Sequence, residues 1–288
     1  MDYKELGKTG VQLPEIGLGT SNYRGGADTL RNGIALGAFF IDTAESYGSE
    51  EIVGEALKGV RDRVFVATKV SPGHFKKKDV VKAADQSLRR LKTDHIDLYQ
   101  LHEPSPVVPI EETIEAMEDL VDAGKVRFIG VSNFPVRQLK KAQAAMRRHR
   151  IVSNQVRYSL VDRSIEKTVL PYCQENGITI LGYSPLARGI PNVRRKDPQG
   201  LLRKVAAETG KTEAQVAMNW CIAKPGVIAI TKSDSIERIV EDCKVSGWRL
   251  SADQLRQLDE GIKYRRRGAV EVVLRRLARR ILDKPGYW

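Results

Sequence analysis

Residues 38–50 read AFFIDTAESYGSE. The apolar run from Ala38 to Ile41 stops at Asp42, and the loop that follows carries Tyr47 five positions on. A run this apolar and this short reads as a strand buried on both faces of a parallel sheet. An ionisable residue at its C-terminal end is displayed where such a sheet opens to solvent. The same grammar recurs along the chain. RVFVATK ends at Lys69, HIDLYQLH at His102, VRFIGVSN at Ser132 and Asn133, ITILGYS at Tyr183 and Ser184, and GVIAITK at Lys232. IVSNQV brings Gln155 to its end, and EIGL near Glu15 completes a set of eight candidate strands.

Helical patterns separate them. Ser49 to Lys58 opens with a Ser and acidic residues, an N-terminal signal. Asp79 to Leu91 has apolar residues at Val80, Ala84, Leu88 and Leu91, near helical spacing. Ile110 to Ala123 ends at Gly124, and Thr212 to Ile222 and Ser235 to Cys243 repeat the pattern. The stretch from Arg188 to Gly200 is rich in Pro, Gly and charge and predicts a long loop over the mouth.

Strand-then-helix units build either a closed barrel or a doubly wound open sheet. No GxGxxG opens a helix after the first strand, as an open dinucleotide-binding sheet would require. Polar residues from many strand ends converge only at the C-terminal mouth of a barrel. The fold expected is therefore α/β, a single (β/α)₈ TIM barrel over residues 1–262. YKELGKTGVQLP, residues 3–14, predicts a β-hairpin that plugs the other end.

The 288 residues carry a net charge of +12, but from Lys263 to Lys284 nine basic residues face two acidic ones. The excess belongs to a tail, residues 263–288, and no nucleic-acid-binding face is expected. Within that tail Val270, Val273, Leu274, Leu277 and Ile281 have helical spacing with arginines opposite. A basic amphipathic tail packing on or over the barrel, with Tyr287 or Trp288 at the pocket, is the reading, ahead of contact with an anionic membrane. The N-terminus has no basic and apolar leader pattern, which points to the cytoplasm. Cys173, Cys221 and Cys243 lack ligand spacing and read as small buried apolar residues, so no metal site is expected.

Alone, Asp42 reads as a loop cap and Lys69 as a surface lysine. Together with Tyr47 and His102 on successive strand ends they supply what carbonyl reduction needs. Negative charge grows on oxygen as hydride reaches carbon, and a proton donor must meet it. A tyrosine can serve if a neighbouring ammonium pulls its pKa down from near 10. A carboxylate beside that lysine keeps it charged and aimed.

The segments GLGT, IDTAESYG, VATKV, LHEPSP, KVRFIGVSNF, NQV, YSPLARG and ITKS, in this order, resemble the aldo-keto reductase superfamily from Tyr3 to about Ile262. The resemblance implies the same barrel and a nicotinamide dinucleotide held without a Rossmann motif. It places a catalytic tetrad on Asp42, Tyr47, Lys69 and His102. Ser132, Asn133 and Gln155 match residues that hold the nicotinamide carboxamide, and Tyr183 matches the ring stacked on it. Gly19, Thr20, Ser184 and Leu186 match the pyrophosphate and ribose positions. Lys232, Ser233 and Arg238 match those that bind an adenosine 2′-phosphate, which favours NADPH, and Glu241 and Asp242 fall at the adenine positions.

Four positions depart from the family pattern: Glu103 replaces a Trp, Thr231 a Pro, Asp242 an Asn and Ser21 an aromatic residue. The function expected is NADPH-dependent reduction of aldehydes, with ketones as a wider class, to alcohols. The partner is a small carbonyl substrate, and the chain is expected to be monomeric or weakly oligomeric. A nucleotide-binding regulatory module of the same superfamily with little turnover is the alternative.

Overall fold

A computed structural model describes residues 1–264. The eight expected strands form: β3 (Ile16–Gly19), β4 (Phe40–Asp42), β5 (Phe65–Val70), β6 (Ile96–Leu101), β7 (Val126–Ser132), β8 (Ile151–Arg157), β9 (Thr179–Tyr183) and β10 (Val227–Thr231). They run parallel in sequence order, and β10 pairs with both β9 and β3 to close the barrel. Helices α1 (Gly26–Ala35), α2 (Glu50–Ala56), α3 (Lys77–Leu91), α4 (Ile110–Asp122), α5 (Val136–Ala145) and α6 (Val169–Glu175) return the chain over the outside. The ring continues with α7 (Ile190–Arg194), α8 (Leu201–Thr209), α9 (Glu213–Ile222), α10 (Ile236–Cys243) and α11 (Ala252–Gly261). No helix among the described residues is long and apolar enough to cross a membrane.

The expected hairpin is present: β1 (Tyr3–Glu5) pairs antiparallel with β2 (Gln12–Pro14). Leu6 and Leu13 are buried against Phe40, Phe65, Ala67, Leu98, Val152, Leu181, Ile228 and Ile230, so apolar side chains fill the N-terminal half of the barrel. The Lys4 ammonium reaches under the rim and donates to the carbonyl oxygens of Ile222 and Val227. Burial pulls that lysine down to about 8. With one end sealed by hydrocarbon, polar groups collect at the other.

Two local expectations change. Ser49 occupies the N-cap position of α2, but its hydroxyl donates to Thr20 instead of capping. Thr212 does cap α9, in a reciprocal capping box with Gln215. The segment from Arg188 to Gly200 is not wholly loop, because Val193 buries itself in the core and winds α7 around it. Of the tail, only Lys263 and Tyr264 are described. Lys263 N–H donates to the Lys196 carbonyl at 2.8 Å, and the Arg163 guanidinium lies 4.8 Å from the Tyr264 ring centroid. The amphipathic segment beyond, with Tyr287 and Trp288, lies outside the described residues. All three cysteines are free and buried, and burial raises the thiols of Cys173 and Cys221 to about 12.

Candidate active site

Strand register builds the floor of the mouth. Asp42 stands beside Ala67 and Lys69 beside Gln100, which sets successive polar residues on one inner face. The Lys69 ammonium donates to Asp42 Oδ1 at 2.6 Å and to the Thr43 carbonyl at 2.7 Å. The same carboxylate accepts from Gln155 Nε2 at 2.7 Å and Gln100 Nε2 at 3.2 Å. Lys69 is 0 % and Asp42 2 % exposed, so this ion pair survives burial only because fixed donors and acceptors replace water. Gln100 went unassigned at the sequence level, since a glutamine inside a strand carries no signal of its own.

Tyr47 rides on a single 3-10 turn, Glu45–Tyr47, that Gly48 closes at φ +67°. Its hydroxyl lies 3.4 Å from His102 Nε2, and the two rings meet edge to face at 5.4 Å. The Lys69 ammonium sits 4.9 Å from the Tyr47 ring centroid. The tetrad expected from sequence is thus brought together from β4, the turn after it, β5 and the end of β6. One expectation changes. Tyr47 is partly exposed, yet burial at its polar end raises the phenol above its ordinary value; Lys69 opposes that rise without reversing it. Burial pulls Lys69 down, but Asp42 and Tyr47 outweigh it and hold the ammonium above its usual range.

One wall comes from β7, β8 and β9. Ser132 Oγ donates to the Gln155 carbonyl at 3.0 Å, and Asn133 Nδ2 donates to Ser132 Oγ at 3.0 Å. Tyr183 donates its hydroxyl proton to Asn133 Oδ1 at 3.1 Å, which sets the plane of the tyrosine ring. Asn133, Ser184, Ala187 and Arg188 all hold φ between +53° and +68° without being glycine. Such left-handed residues cluster where a backbone is shaped for a purpose other than stability. Leu186 packs against the core and turns the chain there, its carbonyl accepting from Gly189 N–H at 2.8 Å.

The adjoining wall is β3 and β10. Thr20 is held by Asp42, its N–H donating to that carbonyl at 3.0 Å. A Cβ on Gly19 would stand 2.8 Å from Ile230 Cγ2, so the glycine lets the two strands close. Past β10, Lys232 and Arg238 are exposed at the start of α10, where Ser235 caps the helix. Lys232 pairs with Asp234 at 2.6 Å, whose other oxygen accepts from Arg24 N–H at 3.0 Å. Asp242 lies buried behind this loop and accepts from Ser233 Oγ at 2.6 Å and Thr231 Oγ1 at 2.9 Å. Burial raises its carboxyl to about 6. Glu241 turns instead to α9, accepting from the Thr212 hydroxyl.

A closed barrel with this tetrad at its mouth invites comparison with known proteins. The sequence model of the Aldo/keto reductase family matches residues 15–263. The chain belongs to the aldo-keto reductase family. Aldo-keto reductases similar to it include YhdN of Bacillus subtilis, 36 % identical over 90 % of this chain and 93 % of that one. The methylglyoxal reductase YeaE of Escherichia coli is 37 % identical over 87 % and 91 %. An aldo-keto reductase from Klebsiella pneumoniae, crystallised with NADP and acetate, superposes with a TM-score of 0.82 at 38 % identity, covering 91 % of this chain and 95 % of that one. As a member of this family, the chain is an oxidoreductase acting on carbonyl chemistry.

Proposed function

We propose that the chain reduces small aldehydes to alcohols with NADPH, and that Tyr47 delivers the proton. The observation that carries this reading is the sealed Asp42–Lys69 pair beneath a tyrosine whose hydroxyl faces His102. A carbonyl oxygen placed between Tyr47 and His102 meets two polar groups as its charge develops. Because the Tyr47 phenol sits above its ordinary value, it stays protonated at neutral pH and is ready as an acid. The reverse reaction needs the phenolate and is favoured as pH rises. Lys69 stabilises that phenolate once the proton has left.

The residues fit NADPH. Lys232 and Arg238 are exposed cations beside a capped helix start, the donor set a 2′-phosphate requires. Arg238 makes no ion pair among the described residues, and Ser233 is held in place by Asp242. Tyr183 offers its ring, oriented by Asn133, for stacking, and Gln155 keeps its carbonyl end for the carboxamide. When bound, the cofactor supplies the hydride. The rim carries Glu45, which accepts from His74 Nδ1 at 3.0 Å, together with Ser46 and Glu103, so polar aldehydes suit it. The Escherichia coli relative is named for one, methylglyoxal. Three free cysteines fit a reducing, cytoplasmic setting.

Tyr47→Phe tests the reading. Reductase activity on an aldehyde panel including methylglyoxal is expected to fall by at least about 10²-fold. NADPH binding, followed by fluorescence, should stay as in the wild type. Full activity in the variant would remove Tyr47 from the mechanism, and tight cofactor binding without turnover on any aldehyde would favour the regulatory alternative.

A further inference from the structure

The ladder places Lys69 beside Gln100, Gln100 beside Gly130, and Gly130 beside Ser153. These four form one inner layer of the barrel, to which the tetrad's own lysine belongs. Its packing is unusual. A Cβ built on Gly130 would fall 2.4 Å from Ser153 Oγ and 3.0 Å from Gln100 Cγ, so both polar side chains converge over the glycine. The β7–β8 pairing slips here from Ile129–Ile151 to Gly130–Ser153, which leaves Val152 with no opposite residue. Val152 lines the apolar layer below, and the bulge turns the next residue, Ser153, inward as well.

Gln100 Nε2 donates to Asp42 Oδ2. A carboxylate accepts only, so the nitrogen of this amide must face Asp42 and its oxygen must face away. That oxygen, Gln100 Oε1, is buried with no partner among the described residues, and so is Ser153 Oγ. Two orphans in one layer are costly, but they are complementary, one an acceptor and the other a donor. No hydrogen bond joins the two in the structure, but both side chains converge over Gly130, and a small rotation of the hydroxyl or one internal water would pair them and lock the amide against turning over.

We propose that Gln100, locked by the Ser153 hydroxyl, is a positioning residue that holds the Asp42 carboxylate beneath Tyr47 and thereby sets the pH window of catalysis. The proposal rests on Tyr47 being the acid. The charged and titratable groups facing Tyr47 are Asp42 from β4, Lys69 from β5, His102 after β6 and Tyr183 from β9. Of these, Gln100 touches only Asp42. Without its donor, the carboxylate keeps more of its charge uncompensated. A stronger negative charge below the phenol disfavours the phenolate. The alkaline fall of reduction, and the alkaline rise of alcohol oxidation, therefore both move to higher pH.

The test is the pH profile of kcat in both directions for Gln100→Met, which keeps length and removes both ends of the amide. An upward shift of roughly half a unit to one unit in both limbs is expected. Ser153→Ala should shift the profile the same way by less, and the double variant no further than Gln100→Met alone, because the hydroxyl acts through the amide. Profiles that superpose on the wild type overturn the proposal. If Gln100→Met fails to fold, an unshifted Ser153→Ala overturns it equally. Additive shifts overturn the lock between the two side chains. An active Tyr47→Phe removes the acid itself, and that result is read without either variant.

Discussion

Two lysine–aspartate pairs at the barrel mouth share the same 2.6 Å separation and differ in everything else. Lys69–Asp42 has side chains 0 % and 3 % exposed, whereas Lys232–Asp234 has 36 % and 34 %. Distance therefore says little about what an ion pair does. In the floor, water is gone, and each charge depends on its partner and on Thr43, Gln100 and Gln155. Such a pair is a permanent fixture that sets the field under Tyr47. At the rim, water competes with every contact and the pair is worth little in itself. On the proposed reading, its lysine exchanges Asp234 for an incoming phosphate.

The comparison is sharpest on breaking the buried pair. Lys69→Met strands the Asp42 carboxylate and is expected to lower unfolding free energy by about 3–5 kcal/mol, besides abolishing activity, in denaturant titrations. A loss under about 1 kcal/mol would place both pairs in one class. The next effect tests Asp242, a buried carboxylate that makes no ion pair among the described residues. Folding raises its pKa from 3.8 to about 6, so the folded state prefers the protonated form. Its stabilising contribution is full below pH 3.8 and is lost as pH rises through about 6. Asp242→Asn keeps an oxygen to accept from Thr231 and Ser233. It should therefore remove a decline on the order of 2–3 kcal/mol between those pH values, read as the wild-type minus variant difference in unfolding free energy. A difference independent of pH would show that folding leaves the Asp242 carboxyl titrating as it does in the unfolded chain.

The smallest structural effect belongs to the rim. Lys232→Met and Arg238→Ala should each weaken NADPH binding roughly tenfold and leave NADH binding and thermal stability unchanged. Equal losses for both nucleotides would remove the 2′-phosphate from the argument.

Much of the fold was legible in the sequence. Each strand buried on both faces had to be a short apolar run, and the run had to end where polar side chains meet solvent, so Asp42, Lys69, His102 and Tyr183 marked their own strand ends. The helix expected from Thr212 to Ile222 was likewise a local signal with a local outcome, and a capping box with Gln215 opens it. Ser49 was not, because its hydroxyl had a choice between its own helix and Thr20, and only the neighbouring strand settled it. The same holds for Asp242, which follows the family's adenine position in sequence but turns inward to hydroxyls on the preceding loop.

The sequence alone determined the barrel and the hairpin that seals it, because period and residue type act over a few positions, and it put Asp42, Tyr47, Lys69 and His102 forward as candidates through their strand ends and the family resemblance. Tertiary structure alone decided which groups share the floor. Gln100, Gly130 and Ser153 lie on three strands, and nothing in their own segments distinguishes them from ordinary residues. Only closure of the barrel brings them under Asp42. Only there, away from bulk solvent, does it matter that the Gln100 amide nitrogen turns to Asp42 and leaves its oxygen, like the Ser153 hydroxyl, buried without a partner among the described residues.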